Sequence, residues 1–479
     1  MQHGAGIFLN QHTDMTNDTI CAICTPAGGA LGILRVSGPE AIAITDRLFT
    51  PVAGRPLTAR KASTLSFGTI HTPEGEDIDE VVVSLYRAPH SYTGEDTTEI
   101  SCHGSAYVMQ AILHALIDAG CRTAEPGEYT RRAFTAGKLD LAQAEAVADL
   151  IASNTAASHR IALGQLKGQV SNRLNTLRQQ LLHITTLLEL ELDFSDHEDL
   201  EFADRSELEA LVQEATTHTQ ALADTFRLGQ ALKEGVPVVL AGQTNAGKST
   251  LLNALCGEER AIVSDVHGTT RDSIEVVAHI DGVAYRLIDT AGLRQTEDPV
   301  EQIGIARTMS HMSRADIVLW VVDAAHIPAD FAAMARRIHS SMPEGSTLFV
   351  VFNKTDLLST SDTVAQAAAT LTQTLPALRH VAISAHSPAD ISRLRSALAS
   401  LLPSPPTGMP IISNARHYEA LTAAHADLIR VAEGLTVGLP GDLVSEDLRQ
   451  CLHHLADIVG EVTSTEVLHS VFMNFCIGK

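Results

Sequence analysis

The eight residues Gly242-Gln243-Thr244-Asn245-Ala246-Gly247-Lys248-Ser249 carry the spacing G-x-x-x-x-G-K-[ST]. Chemistry follows from that spacing. A glycine-rich turn entering a helix aims backbone N–H groups at phosphate oxygens, and the positive end of the helix adds to them. Lys248 is expected to reach the β- and γ-phosphates, Ser249 a Mg²⁺ ion, and the run Asn245–Thr250 (Ala246 and Gly247 included) the phosphates as a whole. More motifs follow in order. Gly268-Thr269-Thr270-Arg271-Asp272 supplies a switch threonine, with Thr270 the better Mg²⁺ ligand. Asp289-Thr290-Ala291-Gly292 ends a strand, which puts Asp289 near Mg²⁺ and the Gly292 N–H near the γ-phosphate. In Asn353-Lys354-Thr355-Asp356, the Asp356 carboxylate can accept from guanine N1–H and N2–H₂. Adenine has no such donor pair, so the nucleotide is expected to be GTP. Ser384-Ala385 completes the base pocket.

The residue after Asp-Thr-Ala-Gly is Leu293, where Ras-like proteins place a glutamine that orients the attacking water. No arginine finger is evident. Asn245 offers a side-chain carbonyl beside the phosphates and either holds a monovalent cation there or merely shapes the turn.

These residues need an α/β scaffold. Val236–Ala241 is a buried strand, Ile274–Asp289 a hairpin turned by Asp281-Gly282, and Asp316–Asp323 and Thr347–Asn353 two more buried strands. Helices alternate with them, which indicates a parallel-rich sheet. Pro403-Ser404-Pro405-Pro406 closes this domain, since no helix crosses such a run. Upstream, Thr19–Thr25, Gly32–Val36, Leu65–His71 and Val81–Leu85 read as strands and Ala106–Ala119 as a helix, giving an α+β domain that ends near Arg132–Gly137. Between the two, Leu163, Leu166, Val170, Leu174, Leu177, Leu181, Ile184 and Leu188 step by three or four residues and predict one long amphipathic helix in a bundle core. After the proline linker, helices are expected at His417–Glu433, Leu443–Ile458 and Thr463–Phe472. A nucleotide domain inserted between helical stretches predicts a discontinuous helical domain.

Composition sets outer bounds. A chain of 479 residues is too long for one core, and 45% hydrophobic residues exclude wholesale disorder. Against 34 Lys and Arg stand 57 Asp and Glu, a net charge of −23, which excludes a uniformly cationic nucleic-acid binder. The charge is segregated: Arg122–Arg178 holds eight basic and five acidic residues, whereas Glu189–Glu214 holds eleven acids against Arg205. The acidic run reads as a solvated face without chelating spacing. One tryptophan, six tyrosines and twelve phenylalanines make a long base-stacking groove improbable. Seven scattered cysteines fit reduced thiols in a cytoplasmic protein, and no apolar run is long enough for a membrane span. The pair Cys21 and Cys24 points to opposite sides of a strand, so a zinc site is rejected. Residues 1–14 read as a disordered leader or a mis-called start, with Met15 a second plausible start.

The chain resembles the MnmE (TrmE) family of tRNA wobble-uridine modification GTPases from about Met15 to Lys479. Phe475-Cys476-Ile477-Gly478-Lys479 carries the resemblance most specifically. Gly32-Ile33-Leu34-Arg35, Tyr92-Thr93-Gly94-Glu95-Asp96, Pro126-Gly127-Glu128 and Lys138-Leu139-Asp140-Leu141-Ala142-Gln143-Ala144-Glu145 support it. The resemblance implies a multidomain protein. Residues 15–137 form an α+β N-terminal domain for folate binding and dimerisation. Residues 138–234 and 404–479 form a discontinuous α-helical domain, and 235–403 an inserted α/β Ras-like P-loop GTPase domain.

It further implies a homodimer working with an MnmG-like FAD protein, in a heterotetramer or larger complex, on tRNA. The pair adds a (carboxymethyl)aminomethyl group at C5 of the wobble uridine, using 5-formyl- or 5,10-methylene-tetrahydrofolate. Asn245 becomes a K⁺ ligand aided by the loop Ser264, Asp265, Val266, His267, Gly268 and Thr269, with Ser264, Val266 and Thr269 as further ligands. Folate contacts fall on Arg35, Glu99, Lys138 and Lys479, with Cys476 as a functional thiol nearby. Glu301 takes a catalytic role beside Lys248 and Thr270, although Asp298-Pro299-Val300-Glu301 also reads as a capping box. The chain departs from the family pattern at Thr244, where proline is usual, and at His386-Ser387-Pro388-Ala389, where a glycine turn is usual. The alternative is a regulatory or assembly GTPase acting on ribosomal or other RNA partners, which would not need the folate-type residues.

Overall fold

The computed structural model describes residues 18–193, 205–257, 275–289, 311–402 apart from 344, 359, 361, 376 and 377, and 409–478 apart from 474, 476 and 477. The leader and the run Asp298–Glu301 lie outside the described residues. The chain divides into two compact units, one of Met1–Ile151, Gln165–Val212 and Asp427–Lys479, the other of Ala152–Gly164 and Gln213–Ala426.

The first unit contains a seven-stranded sheet built from β1 (Ile20–Ile23), β2 (Leu31–Ser37), β3 (Phe49–Pro51), β4 (Thr64–His71), β5 (Asp77–Tyr86), β6 (Thr97–His103) and β7 (Arg122–Thr123). The order is β3-β4-β5-β6-β2-β1-β7, and every pairing is antiparallel except β1 with β7. Alternation decides its faces. Leu34, Val36, Ile70, Val81, Val83, Leu85 and Ile100 point to a core shared with Ile42 and Ile44 of the helix Ala41–Arg47 and with Met109, Ile112 and Leu116 of the helix Ala106–Asp118. The opposite face carries Leu65 and Phe67, both exposed, and the side chains of Arg35 and Glu99. In the same unit the long helix Gln169–Asp193 packs along Gly441–Val459. Phe134, Leu141, Ala144, Val147, Phe472 and Phe475 form a smaller cluster that ties the C-terminal segment to this unit.

The single long helix expected from the leucine stripe is two helices, Ala156–Leu166 and Gln169–Asp193. Gly168 breaks it: its φ of +79° is left-handed, and its carbonyl restarts the next helix by accepting from Asn172 N–H. The apolar step from Leu166 to Val170 keeps its period across the break.

The second unit contains β8 (Val236–Gly242), β9 (Glu275–Ile280), β10 (Val283–Asp289), β11 (Ile317–Asp323), β12 (Thr347–Asn353) and β13 (Arg379–Ala382). Their order is β13-β12-β11-β8-β10-β9, parallel throughout except for the β9–β10 hairpin. Asp281 and Gly282 turn that hairpin with φ of +50° and +79°, the pattern a two-residue Asp-Gly turn demands. The central strands β8 and β11 are buried on both faces, between one core holding Leu240, Leu251 and Leu394 and another holding Trp320, Phe331 and Leu371. The loops at the carboxyl ends of these strands are where such a sheet binds ligands. No helix among the described residues is long and apolar enough to cross a membrane.

Candidate functional site

The loop after β8 has the backbone its sequence calls for. Asn245 sits at φ +65° and Gly247, which precedes the helix Lys248–Cys256, at φ +93°. A Cβ on Gly247 would lie 2.3 Å from Asn353 Nδ2, so glycine is required twice, by conformation and by space. Lys248 is buried, and its ammonium donates to the carbonyls of Gly242 and Gln243, each at 3.1 Å. It therefore lies along the inside of the loop, where a cation meets phosphate. Ser249 and Thr250 are exposed in the first helical turn, and Asn245 is exposed on the loop.

Asn353 connects the phosphate loop to the base loops. Its Nδ2 donates to Ala246 O at 2.9 Å and its Oδ1 accepts from Ala385 N–H at 3.0 Å, with the side chain almost wholly buried. Lys354 adopts φ +64° and its Nζ donates to Asp323 Oδ2 at 2.8 Å. Asp356 is exposed in the short turn Thr355–Leu357, free to meet a donor pair. Ser384 and Ala385 are buried, and Ser384 N–H donates to Asp390 Oδ2 at 2.9 Å. The unusual His386-Ser387-Pro388-Ala389 now has a local reason. Ser387 caps the helix Pro388–Ala399 by accepting from Asp390 N–H, with proline in the first turn. A cavity of about 370 Å³ lies beside the loop, lined on one side by Gln243–Ala246 and on the other by Trp320–Asp323 and Met334.

The structure thus brings together the residues from Asn245 to Thr250, Asn353, Lys354, Asp356, Ser384 and Ala385. Asp289 ends β10 in register with Leu240 of β8. Ser264, Asp265, Val266, His267, Gly268, Thr269, Thr270, Thr290, Ala291, Gly292 and Glu301 lie outside the described residues.

The second group of expected site residues centres on the sheet face of the first unit opposite its main core. Arg35 on β2 and Glu99 on β6 are direct cross-strand partners, joined by two hydrogen bonds of 2.9 and 2.7 Å to Glu99 Oε1. The guanidinium lies 5.3 Å from the ring centre of Tyr92 and 5.5 Å from that of Tyr129, within cation–π range. Tyr129 is fully buried and its hydroxyl donates to Arg35 O at 2.8 Å. Burial works against the Arg35 charge, but the Cys24 sulfur, Glu99 and Tyr129 outweigh it and hold the group above its ordinary value. The chain end reaches the same neighbourhood, because the Cys24 thiol donates to Gly478 O at 3.4 Å. Lys138 is exposed, its stem beside Gly94 of the Tyr92–Asp96 loop. Cys476 and Lys479 lie outside the described residues.

Sequence reasoning missed the ion network beside this site. Glu128 is 1% exposed and accepts from Arg122 at 2.6 and 3.0 Å, from Arg132 at 3.0 and 3.3 Å, and from Glu125 N–H at 2.8 Å. Asp18 and Glu95 complete the network on Arg122 and Arg132. Burial pushes the Glu128 carboxyl up, but the bonds from Arg122, Glu125 N–H and Arg132 overcome this and hold it below the usual carboxylate range. Pro126-Gly127-Glu128 was a visible signal, and the i,i+4 spacing of Glu128 and Arg132 on one helix could have named a partner. Among the described residues, no cluster of three or more His, Cys, Asp or Glu side chains could hold a metal ion.

Comparisons with known proteins agree with this layout. The model of the GTP-binding protein TrmE N-terminus matches residues 19–138, and that of the MnmE helical domain matches residues 141–476. The tRNA modification GTPase MnmE of Phocaeicola vulgatus is 50% identical, covering 97% of this chain and 99% of its own. That of Bacteroides fragilis is 51% identical, covering 97% of this chain and all of its own. A solved structure of Era from Aquifex aeolicus is 25% identical over 40% of this chain and 66% of that chain, with a TM-score of only 0.30. Two family models in sequence and two full-length relatives lead to one assignment: the chain belongs to the MnmE family of tRNA modification GTPases.

Proposed function

We propose that this chain is a K⁺-activated GTPase that, with an MnmG-like FAD protein, installs a (carboxymethyl)aminomethyl group at C5 of the tRNA wobble uridine. The observation that carries the nucleotide half is the double tie of Asn353 to Ala246 and Ala385, which holds the phosphate loop and base loops in one frame. In that frame, GTP phosphates meet the loop N–H groups and Lys248, while Asp356 accepts from the guanine edge. Ser249 and Thr270 are the proposed Mg²⁺ ligands. The exposed Asn245 carboxamide has the donor chemistry for K⁺, with Ser264, Val266 and Thr269 completing the set, and the cation supplies positive charge where an arginine finger is lacking. Glu301 orients the attacking water. GTP hydrolysis in K⁺ and in Na⁺ tests this directly: a large excess in K⁺ is expected, and equal rates would remove the cation from the mechanism.

The N-terminal half rests on the Arg35–Glu99 pair. The Glu99 carboxylate, a quarter exposed, can accept from a pterin ring, and Lys138 and Lys479 suit glutamyl carboxylates. Tetrahydrofolate supplies a one-carbon unit when bound; the residues of this chain bind and orient it. Cys476 is placed by sequence in the segment that ends beside Cys24. The exposed Leu65 and Phe67 on the same sheet face support a homodimer through residues 15–137, with 138–234 and 404–479 as the helical domain and 235–403 as the GTPase domain. A cytoplasmic location follows from the tRNA substrate. Nucleoside analysis of tRNA from cells lacking the gene is the decisive test: unmodified wobble uridines are expected, and unchanged ones would overturn the proposal.

A further inference from the structure

At the end of β11, Asp323 lies level with Asn353 at the end of β12, and the two strands are tied there by Ala324 N–H to Asn353 O. Its carboxylate accepts from Ala325 N–H at 3.0 Å through Oδ1 and from Lys354 Nζ at 2.8 Å through Oδ2. His326 Nδ1 lies 3.6 Å from the same Oδ2 on a largely exposed ring. Lys354 reaches this carboxylate from a left-handed backbone, φ +64°, a conformation that costs a non-glycine residue about 1–2 kcal/mol. Its Cε lies 4.0 Å from where a Cβ on Gly247 would stand, so the alkyl stem crosses the mouth of the phosphate loop before the ammonium ends on Asp323. The pair is largely shielded from solvent, 30% and 19% exposed. A left-handed backbone at Lys354 together with a shielded carboxylate that receives its ammonium is the pattern of a side chain held for its direction.

We propose that Asp323 is a positioning residue for guanine-nucleotide binding: it anchors the Lys354 ammonium so that the lysine stem forms a fixed apolar wall for the purine plane between Asp356 and the Ser384–Ala385 loop. The edge of the base is read by Asp356, whereas the face of the base is met by the stem, whose methylenes are an apolar surface. Asp323 therefore acts on how long any purine diphosphate stays, and not on which purine is chosen. It rests on the placing of Lys354 and Asp356 in the base pocket.

The test measures release of fluorescent GDP and of fluorescent inosine diphosphate from the full-length chain. Asp323→Asn keeps the acceptor for Ala325 N–H and is expected to speed release of both by roughly tenfold, with association within about twofold. Asp323→Glu keeps the carboxylate and is expected to recover most of the retention. Lys354→Met is expected to weaken both nucleotides, and Asp323→Asn added to it should cost nothing further. Additive losses, a change confined to GDP, or unchanged release in Asp323→Asn would overturn the inference. Unchanged binding in Lys354→Met would instead overturn the base-pocket assignment beneath it. Should Asp323→Asn fold poorly, seen as a lowered melting point without nucleotide, the Asp323→Glu and Lys354→Met arms still decide.

Discussion

The two candidate sites are built on opposite principles. The nucleotide site is made mostly of backbone: a loop, a helix start and two strand ends, with Asn353 as a side-chain brace. The sheet face of the first unit is made of side chains, Arg35, Tyr92, Glu99 and Tyr129, flanked by the ion network of the buried Glu128 and Arg132 with the half-exposed Arg122. A backbone site tolerates side-chain changes as long as its dihedral angles survive. A side-chain site depends on every group that holds its charges in place. Damage should therefore spread differently in the two.

The largest effect is expected from Glu128→Ala. It removes the buried carboxylate shared by Arg132 and the half-exposed Arg122, which keep Asp18 and Glu95 as partners, and losing the buried Arg132–Glu128 pair costs about 3 kcal/mol. Thermal melting should show the first unit unfolding early while GDP affinity is unchanged. Parallel loss of both would break the comparison. Acid should act through the same residue. A carboxyl held low in the folded state contributes stability above its unfolded value, roughly 4.3, that is lost as pH falls through the lower folded value. Destabilisation is thus expected below about pH 4, and a Glu128→Gln protein should lack that component in a pH series of melting curves.

Next in size is Gly247→Ala. The left-handed backbone costs about 1–2 kcal/mol for alanine, and the new Cβ must displace the Asn353 amide. GDP affinity should fall on the order of 100-fold with the melting point of the first unit unchanged, as titration calorimetry and melting curves would show. Asn353→Ala is milder. It leaves Ala246 O and Ala385 N–H unpaired, about 1–3 kcal/mol in total, so affinity should fall roughly tenfold. An equal loss from Asn353→Asp would mean that the acceptor to Ala385 is not what matters.

The same contrast explains what could be read from the chain. Backbone N–H groups that converge on a phosphate come from consecutive residues, so Gly242–Ser249 is visible as a spacing. The parallel sheet was visible too, because its strands are continuous apolar runs such as Ile317–Val322. Arg35 and Glu99 meet only because β2 and β6 pair across 64 residues, which no local pattern announces. Asp18 is hidden for the same reason, since it meets Arg132 across 114 residues, whereas Glu128 and Arg132 are a local i,i+4 pair, and Asp323 looks like any acidic strand end. The helix break at Gly168 was missed because periodicity reports which face is buried and is blind to a kink that preserves phase.

The smallest expected effect is also the sharpest probe of the side-chain site. Tyr129→Phe keeps the ring that faces the Arg35 guanidinium and removes only the hydroxyl that donates to Arg35 O. Losing one buried hydrogen bond costs about 0.5–1.5 kcal/mol, which a shift of a few degrees in melting would register. Burial and the neighbouring thiols push the Tyr129 hydroxyl well above its usual pKa, so it stays protonated and the loss should be the same across neutral pH. If side chains act here as a braced set, tetrahydrofolate binding should weaken beyond what the melting shift implies, because the Arg35 backbone and its guanidinium are held by the same residue. A purely local role for the hydroxyl would leave tetrahydrofolate affinity, measured by calorimetry, where it was. Arg35 would then be positioned by Glu99 and the two aromatic rings alone.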